Sequence, residues 1–134
     1  MQRKMAREIA MQIIFQMEIH KDFSVTRLNE LIDVNIPKND KQEKYVKNII
    51  SNLIEHKEHV DKVIKLNLKS WKFDRIAKVD LSILRIALVE ILYDENIPNL
   101  VAVNEAVEMG KKFSTEESGS FINGILGNVL KSDN

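Results

Sequence analysis

Three basic side chains open the sequence before any acidic residue appears, and side chains of this type could bind an anion. Arg3 and Arg7 are four positions apart, so on a helix they share one face, with Lys4 beside them. They would lie at the N-terminal end of that helix, where positive charge opposes the helix dipole and adds nothing to helix stability. This placement slightly favours an external anionic partner, and the alternative is a solvated basic end that only improves solubility.

An aromatic residue further along the same predicted helix could bind an unpaired base. Glu8, Met11 and Phe15 follow one another at steps of three and four, so Phe15 shares a face that includes a charged residue. An exposed Phe there would be a platform on which a single-stranded base stacks. A position in the core is the competing interpretation, and taken alone it is the better one.

Charge is balanced over the whole chain, with 20 Lys and Arg against 20 Asp and Glu. This balance excludes a uniformly basic nucleic-acid binder, but it leaves room for a local basic patch. Lys111 and Lys112 add positive charge on the polar side of a later predicted helix. Because Glu108 is four positions before Lys112, an ion pair within that helix would explain Lys112 locally.

Residues that could carry enzyme chemistry are sparse. The chain has no Cys, which excludes disulfides, thiolate zinc sites and a cysteine nucleophile. His56 and His59 have the only metal-like spacing, and no motif supplies a third ligand. Gly119, Gly124 and Gly127 lack the Gly-Lys-Ser or Gly-Lys-Thr ending of a phosphate loop, and we interpret Gly124 and Gly127 as a site of close helix packing. We therefore expect no catalysis, no metal and no cofactor.

Composition and apolar spacing determine the elements that must position these residues. A chain of 134 residues with only four Gly and two Pro favours one domain of long regular elements. No strand-like alternation occurs, so we predict an all-α fold with about seven helices joined by short loops. The most apolar run, residues 81–92, is too short to span a bilayer and contains Arg85 and Glu90, so a soluble cytoplasmic protein is expected.

The predicted helices follow the stripes of apolar residues. They lie around residues 3–19, 28–32, 41–54, 60–66, 75–93, 100–113 and 115–129. Asp40 with Glu43, and Ser114 with Glu117, have the spacing of capping boxes that open the third and the last helix. Trp71 is expected to be a packing anchor in the linker before the fifth helix.

The fifth predicted helix, residues 75–93, is apolar on almost every side. A helix of this kind is surrounded by other helices, so we place it at the centre of the bundle, with Asp74 as its N-cap. Arg85 and Glu90 lie on this helix, and we interpret them as paired structural groups because an unpaired buried charge is costly.

Several ordered strings in the second half of the chain resemble a known family. The most specific part runs from Asp80 to Leu126, and Ala6-Arg7-Glu8 and Gln12 on the first helix extend the similarity to essentially the whole chain. The strings include Leu84-Arg85-Ile86-Ala87, Asn104-Glu105-Ala106-Val107-Glu108, Lys111-Lys112-Phe113 and Phe121-Ile122-Asn123-Gly124. Together they resemble the NusB transcription antitermination factor family. Met5 departs from the family pattern, since relatives can carry another Arg there.

The resemblance implies a fold and a function. NusB-like proteins are non-catalytic RNA-binding factors built as two packed helical bundles, which predicts a single domain over residues 1–134 with lobes at about 1–68 and 74–131. They bind single-stranded boxA RNA, notably of ribosomal RNA leaders, together with a small-subunit ribosomal protein, NusE. The complex acts in antitermination on RNA polymerase. Some relatives are monomers and some form dimers, and a homodimer is one possibility for this chain.

The basic patches and the resemblance together nominate specific site residues. Those predicted to bind RNA are Arg3, Lys4, Arg7, Phe15, Lys111, Lys112 and Phe121. Asp74 and Asp80, at the start of the fifth helix, are predicted to contact the ribosomal protein. Two alternatives remain, namely a helical scaffold that binds only protein, favoured by the zero net charge, and a metal-dependent enzyme that uses His56 and His59.

Overall fold

The computed structural model describes residues 1–69 and 72–132, and Trp71 lies outside them. Within these residues the chain is entirely helical, without a strand. The helices are α1 (Arg3–Ile19), α2 (Val25–Asn35), α3 (Glu43–Leu66), a 3₁₀ turn (Phe73–Arg75), α4 (Lys78–Tyr93), α5 (Asn99–Phe113) and α6 (Glu116–Ser132). The prediction of an all-α fold is confirmed, and six α-helices in the described part are close to the expected number.

One long helix, α3, replaces two of the predicted helices. It continues through His56, the one residue within it that has non-helical torsion angles, with φ of −114° and ψ of 20°. The imidazole of His56 stacks on the ring of Tyr93 with 4.1 Å between centroids, so the kink packs against the end of α4. At the start of α3, Asp40 Oδ1 accepts the N–H of Gln42 at 2.9 Å, ahead of the helix, and this pattern replaces the predicted capping box.

The start of the central helix lies later than the sequence predicts. Asp74 is in the 3₁₀ turn Phe73–Arg75, and α4 begins only at Lys78, so Asp74 is not its N-cap. Between the turn and the helix, Ile76 has an extended backbone and a buried side chain. This apolar side chain therefore packs into the core before the helix begins. The cap of α6 is shifted by one residue, since Thr115 Oγ1, rather than Ser114, accepts the N–H of Ser118 at 3.0 Å.

Helix α4 lies at the centre of the structure, as predicted. Every residue from Asp80 to Glu90 is buried, and α4 packs against α1, α3, α5 and α6. Each fully buried Leu or Ile contributes about 1.5–3 kcal/mol through the hydrophobic effect, so this helix supplies much of the core. Helix α4 contacts helices of both halves of the chain, so its contacts do not separate two lobes. The division into lobes at 1–68 and 74–131 stays a prediction. No helix in the described ranges has the length and apolarity needed to cross a bilayer.

A buried arginine on α4 connects three helices. Arg85 is 1% exposed, and its Nε and Nη2 donate to Asp61 of α3 at 2.9 and 3.0 Å. Its Nη1 donates to Glu18 of α1 at 2.7 Å. Burial by itself raises the pKa of Glu18, but hydrogen bonds from Lys21 and Arg85 outweigh burial and lower this pKa to about 2. The prediction that Arg85 is a paired structural group is therefore confirmed.

The close contact between α5 and α6 lies at a different pair of glycines from the one predicted. A Cβ on Gly110 would lie 2.8 Å from Cδ1 of Ile122 and 3.4 Å from the backbone nitrogen of Gly119. By contrast, a Cβ on Gly124 or Gly127 would meet nothing within 4 Å among the described residues. The interpretation of Gly124 and Gly127 as points of close helix packing is therefore wrong.

Replacing Arg85 by Met should strongly destabilise the fold, because Asp61 and Glu18 would remain buried without their cation. We expect a loss of about 3–5 kcal/mol in the free energy of unfolding, measured by urea denaturation. Arg75→Met is the control, since Arg75 is exposed and makes no ion pair within the described part, and it should change stability by less than about 0.5 kcal/mol. Equal stability of the two variants would contradict this role of Arg85.

Replacing Gly124 by Ala should stabilise α6, because the added methyl group meets open space and Ala has the higher helix propensity. The expected gain is about 0.5–1 kcal/mol in the free energy of unfolding, measured by chemical denaturation. Gly110→Ala is the matched comparison in a helix interior, and it should destabilise the protein because its methyl group collides with the buried Ile122. A gain at both positions would show that the α5–α6 contact is looser than described.

Candidate nucleic-acid interface

Two of the three predicted cations on α1 face solvent. Arg3 and Lys4 are both exposed. The Nε of Arg3 donates to Gln42 Oε1 at 2.8 Å, and its guanidinium lies 4.0 Å from the ring centroid of Tyr45. Neither Arg3 nor Lys4 has a carboxylate within ion-pair distance among the described residues. The start of α1 therefore carries positive charge that no neighbouring acid neutralises.

Arg7 is placed differently from the free cation that the sequence predicts. It is 3% exposed, and its Nε and Nη2 donate to the two carboxylate oxygens of Glu90 at 3.1 and 2.9 Å. Its Nη1 lies 3.5 Å from Glu105. Burial lowers the pKa of Arg7, but the hydrogen bond to Glu90 and the nearby negative charges raise it above its ordinary value. Because the fully buried Glu90 requires a cation, Arg7 fastens α1 to α4 and is not exposed to a phosphate.

Tyr45 links the surface of α1 to this buried pair, and it is not among the site residues predicted from the sequence. The Tyr45 hydroxyl donates to Glu90 Oε2 at 3.2 Å, and its ring is covered by the Arg3 guanidinium. Burial and the charge of Glu90 raise the pKa of Tyr45. The sequence feature that could have indicated a role for Tyr45 at the surface is its position between Lys44 and Lys47, since clustered lysines often form a basic surface.

The end of α5 lies beside α1. The Nζ of Lys112 is 3.0 Å from a carboxylate oxygen of Glu8, so Lys112 pairs across helices instead of with Glu108 as predicted. A small groove of about 60 Å³ separates the two helices, and Lys4, Glu8, Glu108 and Lys112 are among its lining residues. Lys111 is exposed and has no ion pair with the described residues. The groove thus has mixed charge, and Lys4 is its cation without an acidic partner among the described residues.

The two predicted stacking residues lie in different places. Phe15 is half-buried on α1 and, unlike Phe113, is not among the described residues that pack against the buried apolar core. It lies 12 residues beyond Arg3, which is about 18 Å along the helix. Phe121 is half-buried on α6, packs against the core and lines a cavity that also contains Asp80. The structure therefore brings Lys4 and Lys112 to one groove, places Arg3 against Tyr45 of α3, and does not join Phe121 to either.

The acids predicted to bind protein flank the start of α4. Asp74 is exposed, whereas Asp80 is 7% exposed and its Oδ2 lies 2.9 Å from Ser118 Oγ. The Oδ1 atom of Asp80 is buried and has no hydrogen-bond partner among the described residues. A cavity of about 280 Å³ adjoins it, and Arg75, Glu117 and Phe121 contribute to the lining. A buried carboxylate oxygen without a donor is an acceptor that an incoming ligand can use.

The two histidines considered for a metal site both contact Tyr93. His56 stacks on its ring, and His59 meets the ring edge-on with 6.3 Å between centroids. Within residues 1–69 and 72–132, no group of three or more His, Cys, Asp or Glu side chains could hold a metal ion. The pair is part of the packing at the α3 kink, which explains its spacing without a metal.

Comparison with known proteins places this arrangement in a family. The model of the NusB family matches residues 4–131. The transcription antitermination protein NusB of Finegoldia magna is 48% identical over 132 residues, which cover 98% of this chain and 95% of that protein. The solved structure of NusB from T. maritima is 32% identical with a TM-score of 0.86, covering 98% and 92% of the two chains. A crystal structure of antitermination factors NusB and NusE in complex with dsRNA has the same fold, with 24% identity, a TM-score of 0.85 and coverage of 97% and 96%. The chain therefore belongs to the NusB family.

Proposed function

We propose that this protein is a non-catalytic, cytoplasmic transcription antitermination factor. It binds boxA-type single-stranded RNA together with the small-subunit ribosomal protein NusE, within an antitermination complex on RNA polymerase that supports transcription of ribosomal RNA. Membership of the NusB family supports this function, as does the name of the Finegoldia magna relative, a transcription antitermination protein. The observation that carries the RNA-binding part is the pair of exposed, unneutralised cations at the start of α1.

Arg3 and Lys4 are the primary phosphate ligands in this proposal, with Lys111 as an additional cation. A lysine or arginine that lacks a carboxylate partner releases condensed counterions when it meets a phosphate, which favours binding. Arg7 has a positioning role, because its pair with Glu90 determines how α1 sits on α4 and thus where Arg3 and Lys4 point. Lys112 contributes less, since Glu8 already neutralises it.

Base stacking would add to these phosphate contacts. A base stacked on an aromatic ring gains about 1–3 kcal/mol. Phe15 offers part of its ring on the same helix as Arg3, and Phe121 offers part of its ring on α6. Two or three phosphates and one or two stacked bases give weak binding by this chain alone. A ribosomal protein bound beside it would lengthen the RNA-binding surface and raise the affinity.

The surface at the start of α4 fits a basic protein partner. Asp80 has one oxygen that receives no hydrogen bond from the described residues, and the exposed acid Glu117 lines the same cavity. An arginine or lysine of the ribosomal protein that enters this cavity could donate to Asp80 Oδ1. The exposed Asp74 lies on the adjacent 3₁₀ turn and adds negative charge nearby. In the proposed contact with the ribosomal protein, Asp80 would therefore accept a hydrogen bond, and Asp74 would attract the basic partner by its charge.

A scaffold that binds only protein is the second candidate function. The observation in its favour is that two of the predicted RNA-binding cations, Arg7 and Lys112, are already paired with acids. Under this alternative the remaining cations on α1 improve solubility and the surface near Asp80 carries the whole function. RNA binding by the purified protein distinguishes the two candidates.

Replacing Arg3 and Lys4 together by Ala should weaken RNA binding in a salt-dependent way. Each lost phosphate contact lowers the log–log salt slope for single strands by about 0.7, so we expect a decrease of about 1.4, measured by titrating boxA-type RNA at several salt concentrations. The control is Lys62→Ala with Lys65→Ala, which removes the same charge from exposed positions near the end of α3. An unchanged slope and affinity in the α1 variant would favour the scaffold function.

Replacing Asp80 by Asn should weaken binding of the ribosomal protein and leave RNA binding by the chain alone unchanged. Loss of a charged hydrogen bond costs about 1.5–3 kcal/mol, which corresponds to about 10–100-fold in affinity, measured by isothermal titration calorimetry. Asp33→Asn, at an exposed position on α2 without an ion pair in the described part, is the control. Wild-type affinity of Asp80→Asn for the ribosomal protein would rule out the proposed contact.

A further inference from the structure

An open groove of about 500 Å³ lies where the start of α1, the start of α3 and the α4–α5 loop meet. We call it the α3 groove, and define it by Arg3, Lys41, Lys44, Tyr45, Asn48 and Asn96. Only Arg3 among these residues belongs to the proposed RNA-binding surface of α1. The groove therefore begins at that surface and continues away from it along α3.

The charge of the α3 groove is positive and largely unneutralised. Arg3, Lys41 and Lys44 are exposed, and none of them has a carboxylate within ion-pair distance in residues 1–69 and 72–132. One acid, Asp94, also lines the groove, and its Oδ1 accepts the N–H of Asn96 at 3.0 Å. Three cations against one acid leave a local excess of positive charge that can attract an anionic chain.

Other acids near the start of α3 already have cationic partners. Asp40 Oδ2 lies 2.9 Å from the terminal ammonium of Met1, and Glu43 lies 3.6 Å from Nζ of Lys47. Hydrogen bonding from the Gln42 amide and from the Met1 ammonium also lowers the pKa of Asp40. These acids are therefore not free to neutralise Lys41 and Lys44.

Arg3 is held in a fixed orientation at one end of the α3 groove. Its Nε is bound by Gln42 and its guanidinium rests on the ring of Tyr45, whose hydroxyl is in turn held by the buried Glu90. The two terminal nitrogens of Arg3 make no hydrogen bond to the described residues, so they can donate to a phosphate. Because the side chain is already ordered, less conformational entropy is lost when it binds.

We propose that the α3 groove binds a second stretch of single-stranded RNA, continuous with the stretch bound on α1. This inference rests on the proposed function and specifies the path of the RNA beyond Arg3 and Lys4. Lys41 and Lys44 contact phosphates, and the uncharged amides of Asn48 and Asn96 are of the type that pairs with base edges of unstacked RNA. An acidic protein segment fits less well, since Asp94 would repel its carboxylates whereas RNA can place a base there.

The test compares two RNAs on the full-length protein. One is a short RNA limited to the boxA-type segment, and the other continues it with unstructured uridine extensions at both ends. Lys41→Gln with Lys44→Gln should lower the salt slope for the long RNA by about 1.4 and leave the short RNA unaffected. When the salt concentration rises fourfold, both proteins should lose affinity for the long RNA. The factor by which the wild type loses affinity should be ~7 times the factor for the variant.

The control is Lys62→Gln with Lys69→Gln, which removes two exposed lysines from the opposite end of α3 and the residues after it. Equal effects of the groove variant on both RNAs, or no effect on either, would overturn the proposal. Wild-type binding of the short RNA without any gain from the extensions would also overturn it, while the proposed function would stand. No binding of either RNA by the wild type would refute both. Unchanged RNA binding together with lost binding of oligoglutamate would assign the groove to an acidic protein segment instead.

Discussion

Two opposite charges, Arg85 and Glu90, are buried in a helix that other helices surround, and this constraint organises the molecule. Neither charge can reach water, so each must be neutralised by a side chain from a neighbouring helix. α3 supplies Asp61, and α1 supplies Glu18 at one end and Arg7 near the other. Both ends of α1 are thereby fastened to α4 by charge as well as by apolar packing.

This constraint also determines which cations of α1 remain for a partner. Arg7 points inward because Glu90 needs it, whereas Arg3, one turn earlier, rests on the outer side of Tyr45. The same tyrosine joins the two arginines, since its hydroxyl bonds to Glu90 and its ring carries Arg3. The start of α1 thus combines the structural contact of Arg7 with the proposed binding contact of Arg3. The position of the exposed Arg3 depends on the buried pair between Arg7 and Glu90.

Much of the fold could be predicted from the sequence, because α4 is apolar on every side and the stripes of the other helices have helical spacing. The burial of Arg7 could not be predicted, since its partner Glu90 is 83 residues away. Local spacing shows only that Arg7 follows Arg3 by one helical turn. The interpretation of Gly124 and Gly127 is wrong because a glycine pair on one helix face does not reveal whether another helix covers that face. The sequence predicts a helix break where α3 only kinks at His56, because the polar residues around His56 resemble a loop and the stacking on Tyr93 involves a distant residue. For the predicted site, the sequence indicated which residues are cationic, and the structure was needed to show which of them are neutralised.

The unpartnered oxygen of Asp80 has a consequence for the amount of the protein as well as for binding. A partner that donates to this oxygen binds only the folded chain, so it stabilises that chain by mass action, and the stabilisation rises with the logarithm of the partner's concentration once that concentration exceeds its Kd. The free protein would then unfold, and be degraded, more readily than the assembled one.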